Sequence, residues 1–114
     1  MQCALTGGGL VMDFNSGMFE FFKEGCKKFY MNTKGISNQD TVDASGWIEG
    51  TKYKTGTYTI NLYFTTSRAL VNGKGLQQFI ASDMKTILAD VDPVEAARIN
   101  DTILHTCIYF FTPF

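Results

Sequence analysis

The sequence predicts an α+β domain: an antiparallel sheet of three to five strands with helices packed on one face. Three observations predict it. The stretch "YTINLYFTTSRALVNGKGLQQF", Tyr58 to Phe79, alternates apolar and polar side chains, the period of a strand with one buried side. "MFEFFKEGCKKFYMN" instead places Phe19, Phe22, Cys26, Phe29 and Tyr30 at helical spacing, a buried helix face. Polar, glycine-bearing segments separate such runs, as turns do.

The bulk properties set limits. With 114 residues, 45% hydrophobic and 18% charged, the chain is read as one domain over residues 1–114 with its own core. Aromatic residues are plentiful, with Phe leading at 10. A net charge of −1 argues against binding nucleic acid over the whole surface. The charge is uneven, however. Residues 21–74 carry eight Lys/Arg against four Asp/Glu, and residues 75–114 carry two against five. That gives a basic middle and an acidic last third.

Cys3, Cys26 and Cys107 are odd in number and widely spaced, which fits reduced, intracellular thiols better than a disulfide framework. No run approaches the ~18 apolar residues of a membrane span. No basic segment followed by an apolar one marks a signal peptide. The closing "CIYFFTPF" is apolar, and is read as a buried last segment or as the cut end of a longer chain.

Element by element, "TGGG" is expected to be loose and "LVMDF" a short strand. Asn15 or Ser16 caps a helix beginning near Met18. Gly25 in that helix costs about 1 kcal/mol relative to Ala. "TKGISNQDTVDASG" reads as a polar connection and "GWIEGTKY" as a strand. "KTGT" is a two-residue hairpin that sets Tyr53 opposite Tyr58. Trp47, Thr51, Tyr53, Tyr58, Ile60, Leu62 and Phe64 then share the inner face, with Glu49 as a defect there. A second turn at Thr66–Ser67 pairs Phe64 with Ala69 and Leu62 with Val71. "LQQFIASDMKTILADV" is a covering helix with Phe79, Ile80, Met84, Ile87 and Leu88 inward. Asp92–Pro93 ends it and starts another, with Val94, Ala97, Ile99, Ile103, Leu104 and Ile108 inward. The last aromatics of that segment read equally well as strand.

The period of two also fixes the other face. It carries Ile48, Lys52, Thr59, Asn61, Tyr63, Thr65, Arg68, Leu70 and Asn72, with Lys54 and Lys74 at its rim. "NLYFTTSRALVNGKG" followed by an amphipathic helix resembles one repeat of the TATA-binding protein fold. In that family a strand ends at a short polar turn, here Thr66–Ser67–Arg68. A second strand ends in a small residue and glycine, here Asn72–Gly73, and a helix crosses the sheet's back. The resemblance covers about thirty residues and a single repeat. Single modules of this kind also occur as substrate-binding appendages on one class of ribonuclease H. The family's phenylalanine pairs, inserted between base steps, have no clear counterpart on this face.

The resemblance implies that the open face contacts duplex nucleic acid in the minor groove. Amides donate to acceptors there, and lysines and arginine neutralise phosphates. The residues expected to do so are Lys52, Lys54, Asn61, Tyr63, Thr65, Arg68, Leu70, Asn72 and Lys74. A homodimer would supply the second repeat. The alternative is a protein–protein or homodimerisation module built on Ile48, Tyr63, Leu70 and the C-terminal aromatics. A ligand pocket between helix and sheet is a third reading.

Catalytic chemistry is not expected, nor a cofactor or a metal. His105 is the single histidine, which excludes a multi-histidine metal site. Cys107 is two residues away, on a different side of a helix. "NGKG" lacks a phosphate loop's leading glycine and GKS/GKT ending, and reads as a turn into a helix. Asp83, Asp90, Asp92, Glu95 and Asp101 read as surface or capping groups, with Asp92 and Glu95 forming a capping box.

Overall fold

The computed structural model describes residues 2–90 and 93–106. Its chain begins with a hairpin, β1 (Gln2–Thr6) and β2 (Gly9–Asp13). Gly7 and Gly8 make the two-residue turn, and Thr6 Oγ1 accepts the Gly8 N–H at 3.1 Å. Helix α1 (Ser16–Cys26) is capped by Asn15, whose Oδ1 accepts the Met18 N–H at 2.8 Å. It continues in a π-wound segment, Lys27–Thr33. Four strands follow: β3 (Gln39–Val42), β4 (Ile48–Lys54), β5 (Thr59–Tyr63) and β6 (Arg68–Asn72). Helix α2 covers residues 76–90, with a π-wound stretch at Phe79–Asp83. Helix α3 is Pro93–Thr106.

The six strands form one antiparallel sheet in the order β1-β2-β6-β5-β4-β3. That exceeds the three to five expected. The two extra strands are the edges. β1 was hidden by the glycine run, which is a tight turn rather than a loose segment. β3, "QDTV", is exposed at every position, so no apolar alternation marks it.

One face of the sheet is buried through Leu10, Met12, Tyr53, Tyr58, Ile60, Leu62, Ala69 and Val71. Against it lie Phe19, Phe22, Cys26, Phe29 and Tyr30 from α1 and its extension, and Phe79, Ile80, Met84, Ile87 and Leu88 from α2. Both helix faces are those expected from spacing. Gly25 sits where α1 meets α2. A Cβ there would lie 2.5 Å from the Ile87 carbonyl oxygen, so the helix-propensity cost of glycine is offset by close approach. Cys3, beside Met12 across the first hairpin, donates its thiol to the Thr102 carbonyl at 3.5 Å, which places α3 on the same side.

Both long hairpins differ from expectation by two residues of register. Tyr53 pairs with Ile60, not Tyr58, and Leu62 pairs with Ala69, not Val71. Each turn holds four residues instead of two. In the first, Thr55 Oγ1 accepts the Thr57 and Tyr58 N–H groups at 3.2 and 2.9 Å. In the second, Ser67 adopts φ 53°. A shift of two keeps every side chain on its face, so the face assignments within β5 and β6 hold although the partners change.

Three inward expectations fail. Trp47 is 75% exposed, at the tip of the β3–β4 hairpin. Val94 and Ala97 are exposed, and α3 instead packs through Ile99, Ile103 and Ala96. Asp92, Cys107, Ile108 and the C-terminal aromatics lie outside the described residues, as do the Glu95 and Leu104 side chains.

Candidate functional site

Helices cover one face of the sheet, and among the described residues none covers the other. The register sets out the open face in rows. One row runs Gln39, Lys52, Asn61, Leu70, Val11, Ala4. The next holds Lys54, Thr59 and Asn72, and the row on the opposite side holds Gly50, Tyr63, Arg68 and Asp13. Seven of the expected residues therefore share this face: Lys52, Lys54, Asn61, Tyr63, Arg68, Leu70 and Asn72. Thr65 lies in the turn after β5. Lys74 lies after β6 in a loop anchored to the β4–β5 turn by a Gly75 N–H to Thr57 carbonyl bond of 2.9 Å. Lys54 and Lys74 thus flank the same end of the sheet.

The electrostatics of the face divide it. Arg68 Nε donates to Asp13 Oδ1 at 2.7 Å. Hydrogen bonding to Asp13 and its charge raise the guanidinium's already high pKa, so Arg68 is a paired cation rather than a free one. Beside it is a depression of about 390 Å³ lined by Val11, Glu49, Tyr63, Thr65, Thr66, Arg68 and Leu70. Glu49 reaches this face because the β3–β4 register shifts between Thr41 and Val42. A bulge breaks strict alternation, and the expected inner-face defect disappears. The Arg68 end thus carries Asp13 and Glu49, the middle row carries Lys52, and the other end carries Lys54 and Lys74. Asn61 Nδ2 donates to the Leu70 carbonyl at 3.4 Å, which holds the amide across the strand gap.

Asp43 builds the β3–β4 tip. Its Oδ1 accepts the Ser45 and Trp47 N–H groups at 2.9 and 3.0 Å. Val42, Trp47 and Ile48 are 57%, 75% and 54% exposed, an apolar tip larger than a solvated edge needs. Alternation alone missed it, although the Asp–Ala–Ser–Gly turn before Trp47 was visible.

A second feature was also missed. Asp83, expected on a helix surface, is only 7% exposed. Tyr58 Oη donates to Asp83 Oδ2 at 2.6 Å and lies 2.8 Å from Tyr30 Oη. Burial raises both phenol pKa values, so both hydroxyls stay protonated and the donation runs Tyr30 to Tyr58 to Asp83. The contact itself does not show in the spacing, because it joins residues 25 and 28 apart.

No protein-family model, curated protein or solved structure matches this chain. Among the described residues no group of three His, Cys, Asp or Glu side chains could hold a metal, and no helix is long and apolar enough to cross a membrane. Cys26 is fully buried, and burial pushes its thiol pKa well up, away from the reactive thiolate. His105 is exposed in the last turn of α3. At "NGKG" the Gly75 and Leu76 N–H groups are taken by the Thr57 and Gly73 carbonyls, so the segment is a turn and those two donors are not free for a phosphate.

Proposed function

We propose that the open sheet face is a non-catalytic docking surface for duplex nucleic acid. One observation carries the reading: the register sets Lys52, Asn61 and Leu70 in one row and Lys54, Thr59 and Asn72 in the next, on a face that no described helix covers. Lys52, Lys54 and Lys74 would neutralise phosphates. Asn61 and Asn72 would donate to minor-groove acceptors, and Leu70 would contact sugars. Exposed Trp47 at the hairpin tip is the type of side chain that wedges between base steps. β6 ends at Asn72 before Gly73, and α2 follows with its apolar side chains in the core, the element order the resemblance implies. Arg68, held by Asp13, plays a lesser part than its sequence suggests.

The test is fluorescence anisotropy with labelled duplex DNA, RNA–DNA hybrid and single strands at two salt concentrations. The expected result is salt-sensitive duplex binding. Lys52→Ala/Lys54→Ala should weaken it about uniformly across sequences and lower the salt slope by about two. No duplex binding at low salt would overturn the reading.

Val42, Trp47 and Ile48 favour a second reading, a protein partner or a second copy of this chain docked at the β3–β4 end. Sedimentation equilibrium separates the two: a dimer dissociated by Trp47→Ala/Ile48→Ser supports the second.

A further inference from the structure

On the helical side, away from the open face, the two π-wound turns converge on one cavity. It measures about 320 Å³, and Phe29, Tyr30, Lys34, Thr57, Tyr58 and Asp83 are among its walls. That volume is at the lower end of small-molecule pockets. Tyr30 comes from the π-wound extension of α1 and Asp83 from that of α2. Such turns are rare and recur at functional sites.

The cavity holds in its wall one carboxylate, Asp83, and one cation, Lys34. Its floor is a carboxylate that is nine-tenths buried, and among the described residues no ion pair is formed with it. Lys34, the cation in the wall, rests 5.4 Å from the centroid of the Phe29 ring. A buried carboxylate with no ion-pair partner is costly. Tyr58 satisfies one acceptor position on Asp83, and Tyr30 spends its proton on Tyr58. A carboxylate offers about four acceptor positions, so others remain for a donor entering from the cavity. Phe29 and Tyr58 contribute aromatic walls, which attract cations, as Lys34 over Phe29 illustrates; Tyr30 is fully buried and backs them.

We propose that this cavity binds a compact organic ammonium group, with Asp83 as its counter-ion and the Phe29 and Tyr58 rings as aromatic walls. The ammonium belongs either to a free small amine or to a lysine side chain of a partner.

Amide-resolved NMR tests this with the full chain. n-Butylammonium chloride is titrated against n-butanol and sodium chloride at matched concentration. Saturable shifts confined to residues 29–36, 55–58 and 78–83, given by the amine and not by the alcohol or salt, are expected. Asp83→Asn should lose at least about tenfold in affinity, equivalent to about 1.4 kcal/mol. If that variant loses spectral dispersion, Gly56→Phe decides. Gly56 is in the cavity wall, and a Cβ added there meets nothing within 4 Å, so a phenylalanine is accommodated without a Cβ clash and should weaken binding by crowding the mouth. Equal shifts from alcohol and amine, no saturable shifts, or unchanged affinity in a folded Asp83→Asn or Gly56→Phe variant would overturn the proposal. Nα-acetyl-lysine amide binding more tightly than butylammonium identifies a partner's lysine as the source, and the reverse order identifies a free amine.

Discussion

Tyr58 Oη donates to Asp83 Oδ2 at 2.6 Å, joining the β4–β5 turn to the middle of α2 through a buried contact. The bond ties the four-residue turn to the helix layer, and a two-residue turn would have placed Tyr58 opposite Tyr53. Removing the donor strands a buried carboxylate. Tyr58→Phe should cost about 1–3 kcal/mol in urea unfolding. Tyr30→Phe leaves the Tyr58–Asp83 bond in place and should cost less. The reverse order would refute the direction of donation.

The same tyrosines make stability fall in alkali. Burial pushes Tyr53 up to about 12 and raises Tyr30 and Tyr58. A phenol in the unfolded chain loses its proton near pH ~10, while the folded protein still holds it. The stabilisation is therefore complete below about pH 10 and is lost as pH rises through the folded values, by about 1.4 kcal/mol per pH unit for each tyrosine. Urea midpoints at pH 8, 10 and 11 measure it. Tyr53→Phe should flatten the decline, and an unchanged slope would contradict the assignment.

Gly25→Ala tests the helix crossing. Propensity alone predicts a gain of about 1 kcal/mol. The Cβ would meet the Ile87 carbonyl at 2.5 Å, so the helices must part, and a net loss of about 1–3 kcal/mol is expected. Gly17→Ala, where an added Cβ meets only the Asn15 Oδ1 at 3.7 Å, is the control without a clash. A stabilised Gly25→Ala protein would show that α1 and α2 do not meet so closely.

Asp13→Asn frees Arg68 on the open face. Duplex binding should strengthen and become more salt-dependent, because one more cation reaches phosphate. Folding stability should hardly change, since the pair is exposed. Anisotropy titrations of both proteins at two salt concentrations decide it, and weaker binding by the variant would count against this face.

Trp47 is the single tryptophan, which makes it a probe of the tip. It is 75% exposed, so Trp47→Ala should change stability by no more than about 0.5 kcal/mol. Duplex stacking on the ring should quench its fluorescence, and the variant should bind more weakly. Quenching by a dimer at rising protein concentration, without duplex, would favour the second reading.

The sequence was most legible where one face is buried. Phe19, Phe22, Cys26, Phe29 and Tyr30, and Phe79 to Leu88, sit where helical spacing put them, because burial against a sheet demands that spacing. The alternation of β5 and β6 also assigned their faces correctly. Register was not legible, because Thr55 hydrogen bonding and the φ of Ser67 lengthen the turns, and neither leaves a mark on alternation. β3 escaped because an exposed edge strand needs no apolar side chain. Glu49 and Trp47 escaped because a bulge and the Asp43 turn break the period at that end. Asp83 escaped because its partner is remote in sequence, and a carboxylate on a helix ordinarily faces water.

The most direct measurement is the backbone-amide footprint of a short duplex on the labelled protein. The open-face reading predicts shifts at Lys52, Lys54, Asn61, Leu70 and Asn72, with little change at Phe22, Cys26, Ile80 and Met84 behind the sheet. A footprint on the helical side, or none at low salt, would contradict it.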